Sequence, residues 1–165
     1  DKSRFEVGFK GPIVSLSGSD EIEFMFSANV GQPLKPLAEI ASGGEMSRVM
    51  LAFKTILCRY EALDTMIFDE IDTGIGGNIA VKVAEKLKSV SQFAQVICVT
   101  HAPQIAAMAD SHYLIQKYNE NERTVTTVRK LSAEEEIAEI ARMLGGAEEY
   151  QLKAAAMMKQ NSKEK

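Results

Sequence analysis

The stretch Met66-Ile67-Phe68-Asp69-Glu70 is a short apolar run shut off by two carboxylates. Further along, Val96-Ile97-Cys98-Val99 is shut off in the same way by Thr100-His101. Between the two runs, Ile79, Val83 and Leu87 recur at helical spacing over about residues 78–90. Two apolar strands bracketing a helix spell a βαβ unit, whose parallel strands are expected to be buried and whose crossover is right-handed. Both strands then end at one sheet edge, which gathers Asp69, Glu70 and His101. Ligands of open parallel sheets bind outside such ends.

Upstream, Met46, Val49, Met50, Phe53, Leu57 and Tyr60 fall at three- and four-residue steps, predicting a helix over 45–60 with these residues as its buried stripe. The methionines are read as core. Ahead of that helix stands Ala41-Ser42-Gly43-Gly44-Glu45. Ser42 and Glu45 have the spacing of a capping box. A cap gains nothing from glycines in the first turn, where each costs up to about 1 kcal/mol relative to alanine. Glycine does let another group approach the bare N–H groups of a helix start, which favour an anion and above all a phosphate. Cap and phosphate site both stand as readings of this turn.

The flanks are antiparallel in character. Residues 5–9 and 21–27 alternate apolar and polar and predict a hairpin through the turn Leu16 to Asp20, followed by a proline-bearing loop from Gln32 to Pro36. Residues 112–117 and 123–131 predict two more strands around Asn119 to Glu122. Ser132 and Glu135 form a capping box for a helix with the face Ile137, Ile140, Ala141 and Leu144, stopped by Gly145-Gly146. A last Ala/Met/Lys-rich helix runs into a polar tail.

The 165 residues, 45% hydrophobic and without repeat or long linker, suit one core and one domain over 1–165. A net charge of −4 excludes a general basic field for holding nucleic acid, so any DNA contact is local or lies on other parts. No apolar run approaches the roughly 18 residues of a membrane span, so no membrane partner is expected. Cys58 and Cys98 lie in apolar runs without metal-site spacing and read as reduced core thiols of a cytoplasmic protein. The first residue is Asp1, which points to an excised segment.

Adjacent carboxylates at a strand end suit a divalent metal beside a general base: a hard Mg²⁺ takes oxygen ligands, and the neighbouring carboxylate orients or deprotonates water. His101 would then touch a transferring phosphate. The competing reading is a solvated acidic pair and an ordinary loop histidine. The glycine-rich loop from Ile71 to Gly77 reads either as a surface for close backbone contact or as a flexible turn.

Ser42-Gly43-Gly44-Glu45 resembles the signature motif of ABC-type ATPases, and Thr65-Met66-Ile67-Phe68-Asp69-Glu70 resembles their Walker B strand with its catalytic glutamate. Ile71-Asp72-Thr73-Gly74 falls where their D-loop belongs, and His101 where their switch histidine belongs. More narrowly, LAEIASGGEMSRVMLAFK, IFDEIDTGIGG, VTHAPQIAAMAD and EIARMLGG resemble the RecN family, bacterial SMC-like proteins of DNA double-strand-break repair. The resemblance is specific between Leu37 and Gly146. Thr73-Gly74 in place of a small-apolar D-loop continuation, and a signature lacking a leading leucine, both favour the SMC-like branch over transport.

The resemblance implies an α/β fold, the C-terminal lobe of an ABC/SMC-type head, with a largely parallel sheet flanked by helices and an N-terminal hairpin. It implies that Ser42, Gly43, Gly44 and Glu45 meet the ATP of a second head, that Asp69 holds Mg²⁺ and that Glu70 is the base. It further implies that His101 touches the γ-phosphate and that Asp72 lies at the seam between heads. None of the 11 glycines is followed by lysine, so the chain carries no phosphate-cradling P-loop, and by itself it is expected to be inactive. An N-terminal Walker A lobe of the same protein, a second identical head and DNA are the implied partners, in the cytoplasm at the nucleoid. Reach points the same way: the 45–60 helix is about 24 Å long against about 13 Å for the returning strand. The glycine turn is therefore expected to overshoot its own acidic edge. A non-hydrolysing interaction module and a transporter ATPase subunit are the alternatives.

Overall fold

The computed structural model describes residues 3–11, 14–16, 18–28, 31–40, 42–58, 60, 63–120 and 123–163. Strands β1 (Arg4–Lys10), β2 (Glu21–Ser27) and β3 (Lys35–Pro36) lead through a 3-10 turn (Leu37–Glu39) to helix α1 (Gly43–Leu57). Then come β4 (Thr65–Phe68), α2 (Gly77–Val90), β5 (Gln95–Cys98) and the short α3 (Pro103–Met108). The hairpin β6 (Tyr113–Glu120) and β7 (Arg123–Lys130) and the helices α4 (Ala133–Met143) and α5 (Glu149–Lys163) close the chain.

The βαβ unit forms as read: β4 and β5 are parallel, with Thr65 opposite Gln95 and Phe68 opposite Cys98. The expectation of a largely parallel sheet is corrected. Among the described residues parallel pairing is confined to β4–β5, while β1-β2-β3 and β6-β7 are separate antiparallel sheets. A parallel return needs a crossover such as α2 supplies between β4 and β5. The N-terminal hairpin forms with Lys10 opposite Glu21.

Burial on both faces of the parallel pair is also corrected. Met66 and Phe68 are buried, whereas Ile67 is 71% exposed. The pleat sends alternate side chains to opposite faces, and the helices cover only one. On that face Leu51, Met66, Phe68, Ile71, Val83, Leu87 and Val90 form the main core. A second cluster joins Ala106 and Ala107 of α3 to Ile140, Ala141 and Ala155, with Ile137 and Leu144 packed beside it. Its α4 begins with both halves of the expected Ser132–Glu135 capping box.

The buried stripe of α1 differs from the expected one. Gly44, Leu51 and the following Cys58 are its buried positions, spaced seven apart, while Met50, Leu57 and Tyr60 are exposed. Phe53 turns to the hairpin instead, its ring 5.5 Å from Phe5 and 6.1 Å from Phe24. On α2, Val83 and Leu87 are buried as expected but Ile79 is exposed, Ala80 and Ala84 taking its side of the stripe. Both cysteines are free thiols. Among the described residues no helix is long and apolar enough to cross a membrane.

Candidate functional site

The site is assembled by three segments: the start of α1, the loop leaving β4 and the turn leaving β5. Ser42 is the N-cap of α1, its Oγ accepting from the Glu45 N–H at 3.4 Å, and Gly43 and Gly44 are the first helical residues. The chain leaves β4 through Asp69 and turns at Glu70, whose φ of +54° is the one left-handed non-glycine value among the described residues. From there the loop 70–74 lies against the first turns of α1. Ser47 Oγ donates to the Asp69 carbonyl at 3.0 Å, and Arg48 Nη1 donates to the carbonyls of Ile71 at 3.1 Å and Thr73 at 2.9 Å. A β-carbon on Gly44 would lie 2.9 Å from the Glu70 carbonyl oxygen and 3.0 Å from that of Thr73. One on Gly43 would lie 3.4 Å from Glu70 Oε2, an ordinary contact.

The expected overshoot is therefore corrected: the glycine turn meets its own acidic edge. The loop after β4 carries the chain beyond the strand's end and back onto α1, which closes the distance that helix and strand lengths alone would leave. Gly44 is accounted for by close packing inside the chain, whereas the space around Gly43 asks for no glycine.

Asp72 turns inward within this chain. Its side chain is 1% exposed, and Oδ2 accepts from Thr100 Oγ1 at 2.5 Å, from His101 N at 2.8 Å and from Ala102 N at 2.9 Å. His101 Nδ1 lies 3.2 Å from the same oxygen. Burial by itself would raise the Asp72 carboxyl, but the bonds from Thr100 and the His101 N–H, with the nearby imidazole, together hold it below its ordinary value. The Cys98 thiol, at the end of β5, is pushed up to about 12 by burial and by the carboxylates of Asp72 and Asp69, which disfavours the thiolate.

Of the residues singled out in the sequence, the structure brings Gly43 and Gly44 beside Glu70 and links Asp72 to His101, while Ser42 and Glu45 bond each other at the start of α1. Asp69, Glu70 and His101 are exposed at the carboxyl ends of β4 and β5. The glycine-rich loop is neither free nor floppy in its first half, where Ile71 is fully buried and Arg48 grips both carbonyls around Asp72. Sequence reasoning missed Ser47, Arg48, Thr100 and α3. The first two carried a signal, since polar residues at 47 and 48 fill the i+3 and i+4 places between Gly44 and Leu51 on the inward stripe. Pro103 at the first turn announced α3.

Among the described residues no group of three or more histidines, cysteines or acids converges as a metal cage. Asp69 and Glu70 stand exposed at the end of β4 and offer oxygen donors of the kind that Mg²⁺ takes.

The chain has counterparts among known proteins. The chain is 47% identical over 158 residues to the DNA repair protein RecN of Halalkalibacterium halodurans, covering 92% of this chain and 28% of that protein. It is 51% identical over 129 residues to RecN of Treponema pallidum, covering 78% of this chain and 22% of that protein. This chain belongs with the RecN proteins. It spans about a quarter of these relatives' length, 28% and 22%. The Smc head domain of Pyrococcus yayanosii, solved with a coiled coil and joint, superposes with a TM-score of 0.60 at 25% identity, over 85% of this RecN-type chain and 26% of that one. The fold is accordingly that of an SMC head's C-terminal lobe. No family model matches the chain.

Proposed function

We propose that these 165 residues form one lobe, the C-terminal part of an SMC-like ATPase head that serves DNA double-strand-break repair in the cytoplasm, at the nucleoid. The observation that carries the reading is the seating of the Asp69–Gly74 loop on the first turn of α1, which sets the Glu70 carboxylate beside Gly43. In this reading the α1 start at Ser42, Gly43, Gly44 and Glu45 meets the γ-phosphate of an ATP held by a second head, the N–H groups of Gly43 and Gly44 leading, since that of Glu45 donates to Ser42 Oγ. Glu70 orients the attacking water and takes its proton, and His101 touches the γ-phosphate from the end of β5. Asp69 would hold Mg²⁺, which when bound offsets the negative charge of the phosphates. Hydrolysis then releases the paired heads, coupling engagement to the holding of DNA.

An N-terminal lobe bearing the Walker A motif is the natural cover for the open face of β4–β5, where Ile67, Ile97 and Val99 are 71%, 44% and 46% exposed. The test is ATP hydrolysis by this chain alone and after mixing with that lobe. Turnover only in the mixture, lost with Glu70→Gln while ATP-driven head association persists, is the expected result. No turnover from folded, associated lobes would mean that the site serves binding or assembly.

A further inference from the structure

We infer that Asp72 is a positioning residue for His101: its buried carboxylate fixes the turn after β5 and engages Nδ1, leaving Nε2 as the ring atom that works on the substrate. The inference rests on the ATPase reading above and deepens it.

The contrast in exposure within one contact is the starting point. The Asp72 side chain is 1% exposed and the His101 side chain 80% exposed, yet Nδ1 and Oδ2 lie 3.2 Å apart. The imidazole is thus anchored at its root and free at its tip. The anchor is doubled, because the His101 backbone N–H donates to the same oxygen at 2.8 Å, so residue position and ring orientation depend on one atom. Hydrogen bonding at one ring nitrogen sets which nitrogen carries the proton and which is available.

A tie for the turn would need less. Serine, threonine or asparagine caps free N–H groups without charge, and Thr100 Oγ1 already lies 3.0 Å from the Ala102 N–H. Asp72 Oδ1 is buried with no hydrogen-bond partner, a cost that simple capping does not call for. What the carboxylate adds is a fixed negative charge 3.2 Å from Nδ1, the kind of pairing by which a buried aspartate holds a working histidine in place. Asp72 is itself held from the other side, since Arg48 binds the carbonyls of both its neighbours, Ile71 and Thr73. The placement of His101 is thereby joined to the loop that carries Glu70.

The experiment is steady-state ATP hydrolysis by the full-length protein that contains this chain, comparing wild type, Asp72→Asn, His101→Ala and the double variant, with Glu70→Gln as reference. Each single change is expected to lower kcat by about tenfold or more with KM for ATP within about threefold, and the double variant to be no slower than His101→Ala. Thr100→Val removes the hydroxyl's bonds to Asp72 and to the Ala102 N–H but keeps the ring contact, and should lower kcat far less than Asp72→Asn. If Asp72→Asn slows the His101→Ala protein by the same factor as wild type, or if Thr100→Val matches Asp72→Asn, Asp72 merely holds the turn and the inference fails. Equal rates for wild type and Glu70→Gln form a different pattern, which overturns the ATPase reading and this inference with it.

Discussion

Gly44 and Glu70 touch through the backbone: a β-carbon on Gly44 would stand 2.9 Å from the Glu70 carbonyl oxygen, nearer than side-chain carbons sit to another segment's backbone. The second glycine of the turn thus serves the fold of its own chain before it serves any ligand. Gly44→Ala should push loop 70–74 off α1 at a cost of about 1–3 kcal/mol, read as faster hydrogen exchange at its amides. Gly43→Ala should leave that exchange unchanged, because its nearest neighbour would be at 3.4 Å, and weaken only ATP-driven head pairing. Equal exchange in the two variants would contradict the packing account.

Glu70 adopts φ +54°, a left-handed conformation that costs a residue with a β-carbon about 1–2 kcal/mol. Backbone strain of this kind gathers at functional sites. Glu70→Gly and Glu70→Ala both remove the carboxylate, but only glycine relieves the backbone. The glycine variant should therefore unfold at the higher temperature, by the equivalent of about 1 kcal/mol, with hydrolysis abolished in both. Identical melting temperatures would show that the turn is unstrained.

His112 is buried, with Lys159 Nζ 3.1 Å from its Nε2, and that lysine is held by Glu136 at 3.0 Å and by the Ala109 carbonyl at 2.7 Å. Burial, then the positive charge of Lys159, lowers the His112 imidazole below its ordinary value of 6.5. The folded state keeps the ring neutral while the unfolded chain takes up a proton, so this contribution to stability is complete above pH 6.5 and is lost as pH falls toward the lowered value. Thermal stability should drop between pH 7 and 5.5, and His112→Gln should flatten that slope. An unchanged slope would mean that other groups set it.

Phe53 should fasten the N-terminal hairpin, given its ring contacts at 5.5 Å with Phe5 and 6.1 Å with Phe24. Aromatic pairs contribute about 0.5–1.5 kcal/mol each beyond area. Phe53→Ala is expected to speed hydrogen exchange in β1 and β2 while leaving α2 protected. Uniform loss of protection would instead make the hairpin part of the main core's cooperative unit.

By itself the sequence determined the βαβ unit, both antiparallel hairpins, the α4 capping box and the gathering of Asp69, Glu70 and His101 at one edge. These follow from periodicity and from groups a few residues apart, which local backbone geometry turns directly into structure. Tertiary structure alone decided that Leu51 rather than Met50 is buried on α1, that Gly44 is a packing glycine and that Asp72 turns inward. Each of those depends on segments distant in the chain, such as Arg48 with Thr73 at a separation of 25 and Asp72 with His101 at 29. A helix's own pattern offers several faces with apolar residues, and the one that is buried is chosen by whichever loop and hairpin close over it.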